Sequence, residues 1–199
     1  MNRKRIFMDK KTTSGQRVDI VKWAAQNNYD TVVFPLNQNI KAKSEYIKLA
    51  KRYELNIEAG GHELSLLLPR RLFLFQPGLF RMEQGRRKSR RHFCPTNPKT
   101  TNIIATQAAK LFAQSMQIVT QPRIFHLLPD QGHESTWCSC PACRAFSPAE
   151  QNTIAVNCAA DALAKLDPEA KLSYMEFDTT PASPGVAPRK NMFVYKELL

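Results

Sequence analysis

Between Leu127 and Phe146 the chain reads LLPDQGHESTWCSCPACRAF, which brings two acids, a His, a Trp and three cysteines within twenty residues. Asp130 follows an apolar run, Ile124-Phe125-His126-Leu127-Leu128. A carboxylate at the C-terminal end of a strand stands where α/β proteins keep their chemistry. Cys138, Cys140 and Cys143 form CxCxxC, and thiolates that close in sequence can share one metal ion or exchange disulfides. A tetrahedral zinc site needs a fourth ligand. Cys94 is the natural one, because it lies in the loop after the third predicted strand and the trio lies after the fourth. Adjacent parallel strands set such loops side by side. His92 or His133 could substitute. Disulfides, or simply reduced buried thiols, are the competing readings of the same cluster. Cys158 falls on the apolar side of its helix with Ile154 and Ala162 and reads as core.

The elements that must position this stretch follow from periodicity and end signals. Arg5 to Met8 predicts a first strand. Thr13 and Gln16 resemble a capping box before Val18, Val21 and Ala25 at helical spacing, ending near Asn27-Asn28. Thr31 to Phe34 predicts a buried strand, and Pro35 stops it. Ser44 opens a helix with Tyr46, Ala50 and Tyr53 on one face. Asn56 to Ala59 is a third strand, closed by Gly60-Gly61 before His62. The next forty or so residues read as irregular. Thr101 opens a helix with Ile104, Ala108, Leu111 and Phe112 inward. Arg123 to Leu128 is the fourth strand. Ser147-Pro148-Ala149-Glu150 is a strong N-terminal cap, with Ser at N-cap, Pro at N1 and Glu at N3. That helix runs to about Leu166, where Asp167-Pro168 ends it. Leu172 to Phe177 and Met192 to Tyr195 are the fifth and sixth strands, joined by a Pro-rich loop, Thr180 to Pro188.

Strand and helix alternate, so the fold class is α/β with a parallel sheet and right-handed crossovers. Six strands with long loops after strands three, four and five match part of a TIM barrel. A full barrel has eight strands and ~250 residues. The expectation is one domain over residues 1–199, a partial (β/α) repeat incomplete at its C-terminus, with unpaired edges that favour self-association; a smaller open sheet is the alternative.

Composition narrows the class. At 199 residues and 43% hydrophobic content, the chain can bury a real core. No stretch approaches the roughly 20 apolar residues of a membrane span. The basic N-terminus MNRKRIFMDKKTT has no apolar h-region, which predicts no signal peptide and a cytoplasmic location. Cysteines there stay reduced, favouring metal over disulfide. The net charge of +12 is uneven: Arg81, Arg86, Arg87, Lys88, Arg90 and Arg91 cluster in one segment. That segment is a solvated loop, a nucleic-acid contact or a contact for an acidic saccharide. There is no glycine-rich phosphate loop, Walker motif or GxSxG, and no organic cofactor is expected.

Several motifs occur in order: GGH at Gly60–His62, LLPRRLF at Leu67–Phe73, CPTNP at Cys94–Pro98, LLPDQG at Leu127–Gly132, WCSCPAC at Trp137–Cys143, Asn157 on its helix, and Tyr174 followed by Thr179-Thr180-Pro181. Together they resemble an uncharacterised bacterial family, a domain of unknown function with a WCxCxxC motif. It is classed with glycoside-hydrolase-type TIM barrels, with α-glucuronidases among its distant relatives. The resemblance covers roughly residue 56 to the C-terminus. It implies a barrel and a carbohydrate-active site.

Glycoside hydrolysis needs two carboxyl groups flanking the bond. Asp130 is the first candidate, with Glu176 or Asp178 as its partner and Glu134 on the loop as a looser one. His62, at the end of strand three, could bond a sugar hydroxyl or orient a carboxylate. Trp137 and Tyr174 could stack on a sugar ring. Each has a structural alternative: a loop-capping Asp, a rim acid paired with Arg, a satisfied His, a Trp packed over the cysteine loop. The expected function is a glycoside-hydrolase-like protein acting on or binding a saccharide, acidic ones included. The alternatives are a saccharide-binding remnant without catalysis, and nucleic-acid binding through residues 81–91.

Overall fold

The computed structural model describes residues 3–8, 18–37, 44–130, 136–176 and 185–195. Six strands form one sheet in sequence order: β1 (Arg5–Phe7), β2 (Thr31–Phe34), β3 (Asn56–Gly61), β4 (Ile124–Leu127), β5 (Lys171–Tyr174) and β6 (Met192–Val194). Every neighbouring pair is parallel. Four helices carry the crossovers between β1 and β5: α1 (Val18–Gln26), α2 (Ser44–Arg52), α3 (Pro98–Ser115) and α4 (Pro148–Leu166). This is the expected α/β, partial-barrel architecture. The Thr13–Gln16 capping box and most of the loop before β6 lie outside the described residues.

The two faces of the sheet divide by strand parity. Val32, Phe34, Ile57, Ala59, Phe125, Leu127 and Leu172 face the helices and join Val21, Ile47, Ala50, Ile104, Phe112, Val156 and Leu163 in one core. The opposite parity carries Arg5, Phe7, Glu58, His126 and Ser173. On that side the rings of Phe7, His126 and Tyr195 meet edge to face, with centroids 5.5–5.8 Å apart. In a flat sheet, β1 and β6 would stand roughly 24 Å apart, five strand spacings. The Phe7–Tyr195 contact across the concave side therefore shows that the sheet curls as a barrel wall does.

Four elements differ from the sequence expectation, the first being β5, which is expected to run from Leu172 to Phe177 but ends at Tyr174, leaving Met175 and Glu176 outside it. Gly60 and Gly61 do not close β3 but belong to it, at φ 128° and 144°. A Cβ on Gly60 would fall 1.9 Å from the His126 carbonyl oxygen, so only glycine lets β3 and β4 approach there. Helix α3 starts at Pro98 rather than Thr101, because Asn97 caps it by accepting from the Lys99 amide and Pro98 fills N1. The segment after β3 is ordered rather than irregular. It holds three 3-10 turns, Leu64–Leu67, Arg70–Leu74 and Pro77–Leu79, and a hairpin pairing Met82–Glu83 with Arg86–Arg87. Its turn is Gln84-Gly85, both at positive φ, as a two-residue hairpin loop requires. Leu64, Leu67, Leu68, Leu79, Phe80 and Phe93 anchor this segment to the core. The Ser147 cap is as expected, with both bonds of the capping box present.

Candidate functional site

The most complete constellation is the cysteine cluster. The Sγ atoms of Cys94, Cys138, Cys140 and Cys143 all lie within 4.8 Å of one another, and all four residues are buried. Each comes from a segment fixed by backbone bonds. The Cys94 amide donates to the Leu79 carbonyl and the Asn97 amide to the Cys94 carbonyl, so Cys94 is held just ahead of the α3 cap. The Cys143 and Arg144 amides both donate to the Cys140 carbonyl. Ser139 donates its amide and its hydroxyl to the Met82 carbonyl, which ties the CxCxxC loop to the hairpin.

Gln151, on α4, brackets the loop from behind. Its Oε1 accepts from the Cys138 amide, and its Nε2 donates to the carbonyls of Cys138, Cys143 and Phe146. Four backbone groups of the loop thus depend on one buried amide side chain. Sequence reading missed it, although Gln151 stands four residues past the Ser147 cap on an otherwise apolar helix face.

Sulfur spacing decides what the cluster fits. Cys94 Sγ lies 3.7 Å from Cys140 Sγ and 3.6 Å from Cys143 Sγ. Four sulfurs placed tetrahedrally at about 2.3 Å from one ion are about 3.8 Å apart. All five cysteines are free thiols. Without a cation the four cannot all ionise at this spacing. Interaction with the Cys138 and Cys143 thiols, and with Thr96 and Arg87, pulls the Cys94 thiol down. Its bonds to Cys138 and Cys94, together with burial, push Cys143 up. The donor set and its geometry fit a divalent, thiophilic metal ion, and Cys94, Cys138, Cys140 and Cys143 would hold it.

Of the other expected site residues, His62 and Asp130 follow the C-terminal ends of β3 and β4. Asp130 is half-buried two residues after Leu128, whose amide donates to Gly61. Its carboxylate supports the charge of Arg70, which burial otherwise lowers below the usual guanidinium range. Arg70 also donates to the carbonyls of Ser65 and Ser89 and lies over the Phe80 ring. His62 is exposed, and its Nδ1 lies 2.5 Å from the Pro129 carbonyl. The carbonyl can only accept, so Nδ1 carries the proton and Nε2 is left as the acceptor. His62 and Asp130 therefore stand together on the same edge of β3 and β4.

Trp137 is buried, stacked on His92 at 4.3 Å with an interplanar angle of 1° and edge-on to Phe93. It belongs to the main hydrophobic core, while the cysteines form a separate cluster with Met82 packed against it. Tyr174 has the parity of Leu172 and packs into the helix-facing core. Its hydroxyl donates to Glu176 Oε1 at 3.0 Å. Burial, followed by that bond and the Glu176 charge, pushes the phenol up to about 12. Glu176 is exposed, beside a shallow cleft that also includes Glu150 and Thr153 of α4 and Val186. Glu134 and Asp178 lie outside the described residues, as does His133. Of the basic segment, Arg81 is buried and pairs with Glu83 at 3.2 Å, and Arg87 donates to the Phe80 carbonyl at 2.7 Å. Arg86, Arg90 and Arg91 are exposed.

A second buried polar cluster lies on the concave face of the sheet. Glu58 Oε2 is 2.7 Å from His126 Nε2 and 2.6 Å from Arg5 Nε, and Glu58 Oε1 is 2.9 Å from Arg3 Nη1. His126 Nδ1 is 2.6 Å from the Ser173 hydroxyl oxygen. Burial keeps His126 neutral, lowering its pKa despite the Glu58 carboxylate. The carboxylate can only accept, so His126 Nε2 donates to it and Nδ1 accepts from Ser173. Burial alone would raise Glu58, but bonds and charges from His126 and Arg5 outweigh it and bring it to about 2. Glu58, His126 and Ser173 are fully buried, so this chain of bonds holds strands together rather than meeting a substrate.

The fold is similar to that of the tandem GH20 catalytic modules of the pneumococcal exo-β-D-N-acetylglucosaminidase StrH, with a TM-score of 0.63 at 12% identity over 96% of this chain and 58% of that one. A second StrH structure, from work on its inhibition and on N-glycan recognition and hydrolysis, gives a TM-score of 0.62 at 12% identity, covering 96% and 57%. This chain therefore spans somewhat over half the length of those structures. No family model and no curated protein matches the sequence. The fold is glycoside-hydrolase-like: a curled, parallel (β/α) sheet of the TIM-barrel type.

Proposed function

We propose that this chain is a glycoside-hydrolase-like protein that binds a saccharide at the C-terminal ends of β3 and β4. The observation that carries the reading is the position of Asp130 and His62 there, in a fold similar to GH20 modules. That edge is where barrels of this type place their chemistry. In this reading Asp130 is the general acid or base, and His62 Nε2 accepts from a sugar hydroxyl. The partner carboxylate comes from Glu176 or Asp178. The motif resemblance supports assignment to the WCxCxxC-containing domain family of unknown function. StrH is linked to N-glycans, and an acidic saccharide would also suit the exposed Arg86, Arg90 and Arg91.

The proposal includes one structural zinc ion, bound by Cys94, Cys138, Cys140 and Cys143, which fixes the loop after β4 beside Asp130. Four thiolates leave no open coordination position, so this ion would brace the site rather than act on substrate. Glycan-array binding followed by calorimetry on the hits tests the saccharide reading. If the chain turns over a hit, Asp130→Asn should reduce the rate about 10²–10⁴-fold with an unchanged melting curve. Unchanged turnover in that variant removes Asp130 from the mechanism, and a blank array sinks the saccharide reading itself.

A further inference from the structure

The cysteine cluster has an uneven outer layer. Cys138 Sγ receives the Met82 backbone N–H at 3.2 Å and Arg87 Nη1 at 3.8 Å. The Thr96 hydroxyl lies 3.1 Å from Cys143 Sγ and 3.6 Å from Cys94 Sγ. A metal-bound thiolate has no proton to give, so that hydroxyl must donate. Cys140 differs from the other three. Among the described residues no N–H or O–H group donates to its sulfur, and its one neighbour at hydrogen-bond distance is Cys94 Sγ at 3.7 Å.

This asymmetry has chemical consequences. A metal-bound thiolate attacks soft electrophiles through its sulfur lone pairs. A hydrogen bond to the sulfur draws charge out of them and lowers its nucleophilicity, while leaving the metal bond in place. Cys138 is damped by an amide and a guanidinium, Cys143 by the Thr96 hydroxyl, and Cys94 more weakly by the same single proton at the longer distance. Cys140 keeps its full charge density. All four residues are at least nine-tenths buried, with exposures between 0% and 4%, so access alone does not separate them.

We propose that Cys140 is a modification site, the thiolate at which small, soft carbon electrophiles attack the metal-loaded protein and from which the metal centre opens; this rests on the zinc reading above. With iodoacetamide as the probe, a Cys140 Sγ–C bond forms as the C–I bond breaks, and iodide leaves with the bonding pair. Cys140 becomes a neutral thioether, a far weaker ligand. The ion is left with three thiolates and an open position that a chelator can enter. Met82, Arg87 and Thr96 act as positioning residues that protect the remaining sulfurs.

The test uses the full chain purified without chelator. Elemental analysis first gives the zinc content. The loaded protein then receives sub-stoichiometric iodoacetamide in the presence of a chromophoric zinc chelator, and fragment-ion mass spectrometry locates the label. Cys158 lies outside the cluster and its label is counted separately. The expected result is first labelling at Cys140, with zinc released in step with it. Arg87→Gln should then bring Cys138 up to comparable labelling. First labelling at Cys94, Cys138 or Cys143 of the loaded wild-type protein, or an even spread, overturns the proposal but leaves the zinc reading standing. Absence of zinc together with failure to bind added zinc overturns both. The wild-type map decides the matter alone if Arg87→Gln fails to fold.

Discussion

Two buried polar clusters lie in this chain, one on the strands β3 and β4 and their neighbours, the other in the loops that follow β3 and β4, and they solve opposite problems. The concave-face cluster is electrically self-sufficient. Arg3 and Arg5 balance Glu58, neutral His126 bridges Glu58 to Ser173, and each group's partner comes from the chain. The cysteine cluster places four sulfurs within 4.8 Å of one another, with Arg87 the cation that bonds to them. Desolvated like charges at that spacing repel, so the cluster asks for a cation from outside. The first is built on strands, whose mutual positions the ladder fixes. The second is built on loops, whose mutual positions a bound ion would fix.

Removing the proposed metal ion should have the largest effect on this contrast. Zinc binding to four thiolates is coupled to folding on the order of 10 kcal/mol. Chelation, or Cys143→Ser, should therefore lower stability by several kcal/mol on that scale. Thermal melts with and without a strong chelator check this, and coincident melts would mean that the cluster stands without an ion.

Breaking the other cluster should cost less and leave the metal content unchanged. Glu58→Gln deprives two largely buried arginines and His126 of their carboxylate, which typically costs about 3–5 kcal/mol. The pH profile should change with it. In the wild-type protein His126 is held neutral below its ordinary value of 6.5, so on acidification the unfolded chain binds that proton first and stability falls below pH 6.5. Glu58 is depressed to about 2 from 4.5, so a second loss should run from pH 4.5 down to about 2. Denaturant titrations across pH should show both windows, and Glu58→Gln should erase the lower one. A variant that keeps the lower window would assign it to other carboxylates.

The smallest effect belongs to the residue that supports the cysteine loop from α4. Gln151→Leu leaves one amide and three carbonyls of that loop without their partner, and because a loop can shift to let water reach them the loss should be about 1–3 kcal/mol in all. Because the loop presents Cys138 and Cys143, zinc affinity should fall along with stability, which a competitive chelator titration would read. Lost stability with unchanged affinity would separate the bracket from the metal site.

The sequence by itself determined the parts whose physics is local. The alternation of strand and helix follows from short windows of periodicity and end signals, and the Ser147 capping box and the CxCxxC trio depend on residues within five positions of one another. The trio's fourth sulfur followed from topology alone, since loops after adjacent parallel strands must be neighbours. Only the tertiary structure decided the rest. Glu58, His126 and Ser173 are separated by 68 and 47 residues, and their meeting depends on strand register and sheet curl. Gly60 lies inside β3, not at its end, because the His126 carbonyl of the next strand occupies the space a side chain would need. Tyr174 faces the helices because β5 ends at Tyr174 with the parity that Leu172 sets. A one-residue difference in where a strand starts to pair reverses which face each side chain joins, and no window of neighbouring residues carries that information.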